Sequence, residues 1–329
     1  MKTIQFKNKI TTIKLLSLEN VLKSLSNTKN YYLIDANINK LYQDFVEKLP
    51  NSLGKYIITA EENKKTIETY QLIIHSLMSD NVTKDCYLVN IGGGITTDIG
   101  GFVAATYKRG MHFINVPTTL LAMVDASIGG KNGLNFDWNK NIIGTIYQPD
   151  EILITEEFLE TLGPQEILSG KVEMLKLTLL QNDNTSFLQD VNGSTIYRYA
   201  LAKADICVKD EESKDVRNIL NFGHTLGHAF ELLLNIDHGI AVGLGMYYIT
   251  KNKQMQELIK NELAKIGLNI NDYKEKINKI DKDKLLEIII NDKKNTDFIN
   301  IVELDKLGEP HIAHTTINKL KEDLANELF

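Results

Sequence analysis

The segment CYLVNIGGG at 86–94, followed at once by ITTDIGG, constrains this chain more than any other. A β-rich apolar run that ends in three glycines and passes directly into helical sequence is a strand–turn–helix corner. Such corners belong to βαβ units and a parallel sheet. Glycines let a backbone come close to a pyrophosphate, and the start of the helix adds N–H donors and a partial positive charge. The spacing is not GxGxxG, however, and the same residues also serve a tight turn that binds nothing. Asp98, four residues past Gly94, suits either a hydrogen bond to a ribose or nicotinamide group or a first-turn carboxylate favoured by the helix dipole.

The flanking sequence extends that pattern. YYLIDANI (31–38) reads as a strand and its exit loop, KYIITA (55–60) and HFINVPTT (112–119) as further strands, and 64–80 carries apolar residues at helical spacing. Asp35 and Asn37 fall at the carboxyl end of the first of these. In an open α/β sheet an acid there takes a ribose hydroxyl, or equally caps a turn. From about Gly163 the sequence becomes mostly helical, with only INIVEL (299–304) strand-like. A length of 329 residues suits two domains at roughly 100–200 residues each. The expectation is an α/β nucleotide-binding domain over 1–163 and a mainly α-helical domain over 164–329, with a site in the cleft between them.

A net charge of −6 argues against a general nucleic-acid binder, because neutralising phosphates takes a basic surface. The two cysteines, Cys86 and Cys207, form no CxxC, which disfavours a disulfide framework or a cysteine zinc site. No apolar run approaches the roughly 20 residues of a membrane span, and the first residues lack a signal peptide's apolar core. These features predict a soluble cytoplasmic protein with no membrane or nucleic-acid partner.

Three histidines fall within fifteen residues: His224, His228 and His238. The first two are spaced i, i+4 and share a helix face. A catalytic zinc takes three protein ligands and keeps one position open. Spacing favours His224 with His228 but does not decide which two histidines bind metal, and Glu173 is the best carboxylate candidate. The cations Arg109, Lys131, Lys140, Lys176, Lys203, Arg217, Lys293 and Lys294, together with Asp125 and Asn141, are scattered through glycine-containing or site-like segments. Singly, each reads as a solvated charge; gathered, they would suit a small dianion.

Taken in order, GGGITTDIGGFVAATYKRG (92–110), VPTTLLAMVDASIGGKNGLNF (116–136), KNIIGTIYQP (140–149), SGKVEMLK (169–176), KADICVKDEESKDVRNILNFGHTLGHAFE (203–231), HGIAVGLGM (238–246) and DKKNT (292–296) resemble the 3-dehydroquinate synthase family. The resemblance spans about residues 30–310. It implies an N-terminal NAD-binding α/β domain, an α-helical C-terminal domain and a homodimer. It implies conversion of 3-deoxy-D-arabino-heptulosonate 7-phosphate to 3-dehydroquinate and phosphate, with NAD and one divalent metal, zinc or cobalt.

By position, Glu173, His224 and His238 match the family's metal ligands, and His228 a histidine that faces substrate. Glu62, Lys65, Gly93, Gly94, Ile95, Thr96, Thr97, Asp98, Thr118, Thr119, Lys131 and Lys140 match cofactor positions. Phe158 and Thr161 of the FLET segment match a weaker one. Asp125, Lys131, Asn141, Lys176, Lys203, Arg217, Asn221, His228 and one of Lys293 and Lys294 match substrate positions. Arg109 matches an arginine supplied across the dimer interface. The chain departs from the family at Lys171-Val172, Leu177-Thr178 and Ile240, none of them a ligand. The alternatives are a related sugar-phosphate cyclase acting on another sugar phosphate, a polyol dehydrogenase, and a non-catalytic binding protein.

Overall fold

Parallel sheets are covered on both faces, so their central strands are unbroken apolar runs rather than alternating ones. NYYLID and YLVNIG are such runs, and both fold as strands buried along nearly their whole length. The computed structural model describes residues 1–137, 139–183, 188, 190–292 and 298–328. The chain divides into two compact units.

The first unit comprises Met1–Gly163 and Asn192–Glu212. It begins with the antiparallel hairpin β1 (Lys2–Gln5) and β2 (Ile10–Leu15). There follow α1 (Leu18–Leu25), β3 (Asn30–Asp35), α2 (Ala36–Leu41), α3 (Gln43–Glu47), β4 (Ser52–Ile58), α4 (Ile67–Ser79), β5 (Tyr87–Gly92), α5 (Gly94–Thr106) and β6 (His112–Pro117). A second antiparallel hairpin, β7 (Lys131–Phe136) and β8 (Asn139–Ile146), precedes β9 (Glu151–Ile154). Among the described residues, seven strands form one sheet in the order β1-β2-β9-β6-β5-β3-β4, parallel except at β1/β2.

The chain leaves β3 for β4 on one side and returns to lay β5 on the other. Strand order therefore reverses between β3 and β5, and ligands of open α/β sheets bind outside the carboxyl ends at such a point. Ile34 of β3 pairs with Ile91 of β5, so Asp35 stands beside the glycine turn. The expected exit loop after Asp35 is instead α2, because the Asp35 carboxylate accepts from the Asn37 N–H at 2.8 Å and caps the helix. A core of Tyr31, Leu33, Ile73, Leu77, Leu88, Ile99, Val103 and Phe113 joins α4 and α5 to the sheet. Each large apolar side chain so buried contributes about 1.5–3 kcal/mol.

With α6 (Pro164–Gln181) the chain enters the second unit, then returns to the first for α7 (Gly193–Lys209). The expectation of one boundary near Gly163 omits this return. Its cause is packing: α7 lies on β1, β2 and the π-helical turn Ala122–Ala126. The second unit comprises Pro164–Val191 and Ser213–Phe329. After α6 it contains α8 (His224–Leu234), α9 (His238–Ile249), α10 (Lys253–Lys265), α11 (Asn271–Asn278) and α12 (Lys282–Asp292). The hairpin β10 (Phe298–Leu304) and β11 (Pro310–Thr316) and then α13 (Ile317–Leu328) complete it. INIVEL thus lies in a strand, but one with an antiparallel partner that the sequence reading lacked. Helices α6 and α9 are buried on nearly every side, the mark of interior helices. Among the described residues no helix is long and apolar enough to cross a membrane.

Candidate active site

Two clusters emerge, one in each unit. In the first unit the turn from β5 to α5 is capped by Gly93, which brings no side chain to the helix start. The first N–H groups of an α-helix have no partner within it. A Cβ on Gly92 would lie 2.4 Å from Thr96 Oγ1, and one on Gly93 3.0 Å from Thr119 Cγ2, so the corner exists only without side chains. The Thr96 hydroxyl is buried with no hydrogen-bond partner. Thr118 N–H donates to the Gly92 carbonyl at 3.0 Å, placing the loop after β6 against the same corner. A bare helix N-terminus at the reversal of strand order, with Asp35 alongside, fits the pyrophosphate and ribose of a dinucleotide.

Below this corner Lys65 is almost wholly buried. Its ammonium donates to Asp98 Oδ2 and to Asn141 Oδ1, each at 2.5 Å. Burial pushes the Asp98 pKa up despite the adjoining Lys65 charge. Glu62 accepts from Asn135 Nδ2 at 2.8 Å and lies 3.9 Å from Lys140, so β7 and β8 hold this group together. Asn135, which no motif in the sequence marks out, also accepts from the Asn141 N–H through its side chain. Lys203, buried on α7, bonds Asp125 Oδ1 at 2.7 Å and the Asp125 carbonyl at 2.5 Å. Lys131 is exposed at the start of β7.

Other predicted positions lie elsewhere. Phe158 is fully buried with its ring edge-on to Tyr42 and Phe45, and Thr161 bonds the Tyr42 hydroxyl. These contacts tie the segment to α3 and its preceding residue. Arg109 is exposed in a turn with φ +67°. An open groove of about 750 Å³ lined by Leu18, Leu22, Leu41, Tyr42 and Phe45 contains none of the predicted residues. Lys293 and Lys294 lie outside the described residues.

The second cluster is in the second unit. Glu173 of α6, His224 at the start of α8 and His238 at the start of α9 bring their ligand atoms within 4.8 Å of one another. The Nε2 atoms of His224 and His238 each lie 3.7 Å from Glu173 Oε1. Spacing favours His224 with His228, whereas the donor atoms that gather here are those of Glu173, His224 and His238. The i, i+4 relation only places two side chains on one face, about 6 Å apart along the axis. The His224 and His228 rings are 5.4 Å apart, but the ligand set closes through α6 and α9. The approach depends on Gly239, where a Cβ would lie 2.3 Å from the Ser169 Cα of α6.

Glu173 is completely buried, and neither carboxylate oxygen accepts a hydrogen bond of ordinary geometry, although the Lys176 ammonium lies against Oε2. Burial opposes its charge, yet Lys176 and His238 hold its pKa at about 2. Burial, then the charges of Lys176 and His238, pushes His224 well below the usual imidazole value. Burial also opposes charge on His238, but the carboxylates of Glu173 and Glu231 raise it to about 9. Ligands at about 2.0–2.1 Å from a tetrahedral ion lie roughly 3.4 Å apart, close to the spacing here, and a carboxylate with two imidazoles is a zinc-type donor set. The residues therefore fit one divalent cation. Arg217 is buried in the 3₁₀ helix Val216–Asn221, which lies against α6, and Asn221 ends that helix. Val172, Leu177, Thr178 and Ile240 are buried and pack within the unit, and Lys171 is half-buried.

Residues 55–169 match the family described as 3-dehydroquinate synthase N-terminal, and residues 168–295 match 3-dehydroquinate synthase C-terminal. A 3-dehydroquinate synthase of Staphylococcus aureus is 36% identical over 323 residues, covering 90% of each chain. One from Pelagibacter ubique is 36% identical over 304 residues, covering 84% of this chain and 83% of its own. Among solved structures, 2-deoxy-scyllo-inosose synthase complexed with carbaglucose-6-phosphate, NAD⁺ and Co²⁺ is similar with a TM-score of 0.85 at 25% identity, covering 99% of this chain and 100% of that one. The 2-epi-5-epi-valiolone synthase of Streptomyces hygroscopicus, with NAD⁺ and Zn²⁺ bound, shares the fold with a TM-score of 0.81 at 20% identity, covering 99% of this chain and 97% of its own.

Proposed function

The chain belongs to the 3-dehydroquinate synthase family, and we propose that it converts 3-deoxy-D-arabino-heptulosonate 7-phosphate to 3-dehydroquinate and phosphate. The observation that carries this reading is the Glu173, His224 and His238 ligand set, with the buried Arg217 in the same unit. We assign NAD to the β5–α5 corner and one divalent metal to the three ligands. Bound NAD supplies transient oxidation of a secondary alcohol to a ketone, and the bound metal supplies Lewis-acid polarisation of the oxygens it holds.

The rest is work for side chains. A ketone acidifies the neighbouring C–H, so phosphate can leave. Cations steady the charge that develops as it does, and Lys176, Lys203, Lys131 and His228 are assigned to this role. Arg217 presents a planar fork suited to a carboxylate, and Asn221 adds a hydrogen bond beside it. Asp98, held by Lys65, positions the cofactor side of the reaction, and Asp125 and Asn141 orient substrate hydroxyls. The overall conversion involves no net redox change, so bound NAD would be used catalytically rather than consumed. We further propose a cytoplasmic homodimer in which the exposed Arg109 serves the partner's substrate.

The test is phosphate release from the heptulosonate phosphate, with and without NAD and before and after chelation. The reading expects release that requires both and no accumulation of NADH. Stoichiometric NADH would favour a dehydrogenase. Equal turnover of sedoheptulose 7-phosphate, which lacks the carboxylate, would favour another cyclase of the group.

A further inference from the structure

Helix α8 carries His224, His228 and Glu231 at i, i+4 and i+7, so all three line one face over two turns. Only the first is a metal ligand in the set above. The third reaches the start of α9, where Glu231 Oε2 lies 3.2 Å from His238 Nδ1. The other ligand histidine is held in the same way from its far side: His224 Nδ1 lies 3.2 Å from the Phe222 carbonyl. In both rings Nδ1 therefore faces an acceptor and Nε2 faces Glu173. The acceptors differ, a neutral backbone carbonyl for His224 and a largely buried carboxylate for His238.

We propose that Glu231 is the positioning residue of the metal centre, accepting the Nδ1 proton of the neutral His238 ring and so presenting Nε2 to the ion. The inference rests on the metal reading of the preceding section. A metal ligand must offer a lone pair, and a neutral imidazole has one on only one nitrogen. Fixing the proton on Nδ1 selects that nitrogen, and a carboxylate acceptor also makes the ring more basic toward the ion. His238 depends on this more than His224 does. It is the more exposed of the two rings, with 29% of its side chain accessible against 13%, so water competes for its nitrogens.

The experiment measures zinc affinity by competition with a chromophoric chelator for the parent, Glu231→Ala and Glu231→Gln, with folding followed by circular dichroism. Truncation to alanine should weaken zinc binding about 10- to 100-fold. Glutamine keeps an acceptor oxygen and should recover most of that loss, a rescue that general damage to α8 would not show. Cobalt-loaded Glu231→Ala should show an altered visible spectrum, whereas cobalt-loaded Glu231→Gln should resemble the parent. If Glu231→Ala does not fold, ¹⁵N-histidine NMR of the zinc-loaded parent decides: His238 should be protonated at Nδ1 and metal-bound at Nε2. Zinc affinity within about twofold of the parent in Glu231→Ala, equal losses in both variants, or metal on Nδ1 of His238 would overturn the proposal. A parent that takes up neither zinc nor cobalt would bring down the metal reading itself, a different result from a parent that binds and variants that match it.

Discussion

Replacing Gly239 by alanine should weaken metal binding without touching any ligand. Gly239 directly follows His238, in the first turn of α9. A Cβ there would lie 2.3 Å from Ser169 Cα and 2.5 Å from the Ser169 carbonyl oxygen. Both are backbone atoms, so no rotamer change relieves the overlap. Ordinary contact begins near 3.4–4 Å, so the start of α9 must retreat from α6 by about 1 Å or more. Ser169 is one turn before Glu173, so the same retreat parts His238 from Glu173. Metal–ligand distances tolerate only about ±0.2 Å. Overpacking of this kind costs up to about 3 kcal/mol, and alanine returns about 1 kcal/mol of helix propensity, leaving a net loss near 2 kcal/mol. Urea unfolding of the chelated protein should show that loss, and zinc competition should show affinity lowered at least about tenfold, since ligand geometry is disturbed. An unchanged unfolding midpoint would refute the packing argument. Lowered stability with unchanged zinc affinity would refute the claim that this contact sets the ligand geometry.

Arg217→Ala should lower kcat/KM for the heptulosonate phosphate by at least about 30-fold, because losing a charge-assisted bond at a desolvated site costs about 2–5 kcal/mol. Lysine should not restore it, and a neutral Arg217→Ala would count against a carboxylated substrate. Gly94→Leu should weaken NAD binding measured by fluorescence titration, since even a Cβ there comes within 3.2 Å of Ala126 Cβ and a larger side chain would crowd the start of α5, to which NAD is assigned; unaltered affinity would place NAD elsewhere. Lys65→Met should destabilise the protein more at pH 8 than at pH 5. Asp98 has a folded pKa raised above its unfolded value, so its native state holds the proton more tightly. Its contribution is present below the unfolded carboxylate pKa and falls as pH rises through the folded one, more steeply without Lys65. Chemical unfolding at the two pH values checks this, and equal losses would contradict it.

What could be read in the sequence is what the chain decides locally. The corner at 86–98 was legible because a β-run, three glycines and a helix start occupy adjacent residues, and glycine's need for space is a property of the turn itself. The same holds for β3, β4, β6 and α4. The strand pairs β7–β8 and β10–β11 were less legible, since their alternation is weak and half of each hairpin carries polar or charged residues. For the metal centre, spacing supplied candidates and resemblance supplied the ligand set. Helical spacing says that His224, His228 and Glu231 share a face, but not what stands opposite that face.

The tertiary structure settled those questions. It put α6 and α9 across from α8, grouped the donor atoms of His238 rather than His228 with those of Glu173 and His224, and gave Glu231 a partner on the next helix. It also returned α7 to the first unit, where Lys203 meets Asp125. Periodicity records which side of an element is apolar, because burial acts on each side chain through its own surface. Which two apolar sides meet is decided by the packing of the whole chain, where a single glycine such as Gly239 sets how near two helices can come and therefore which donor atoms share a point.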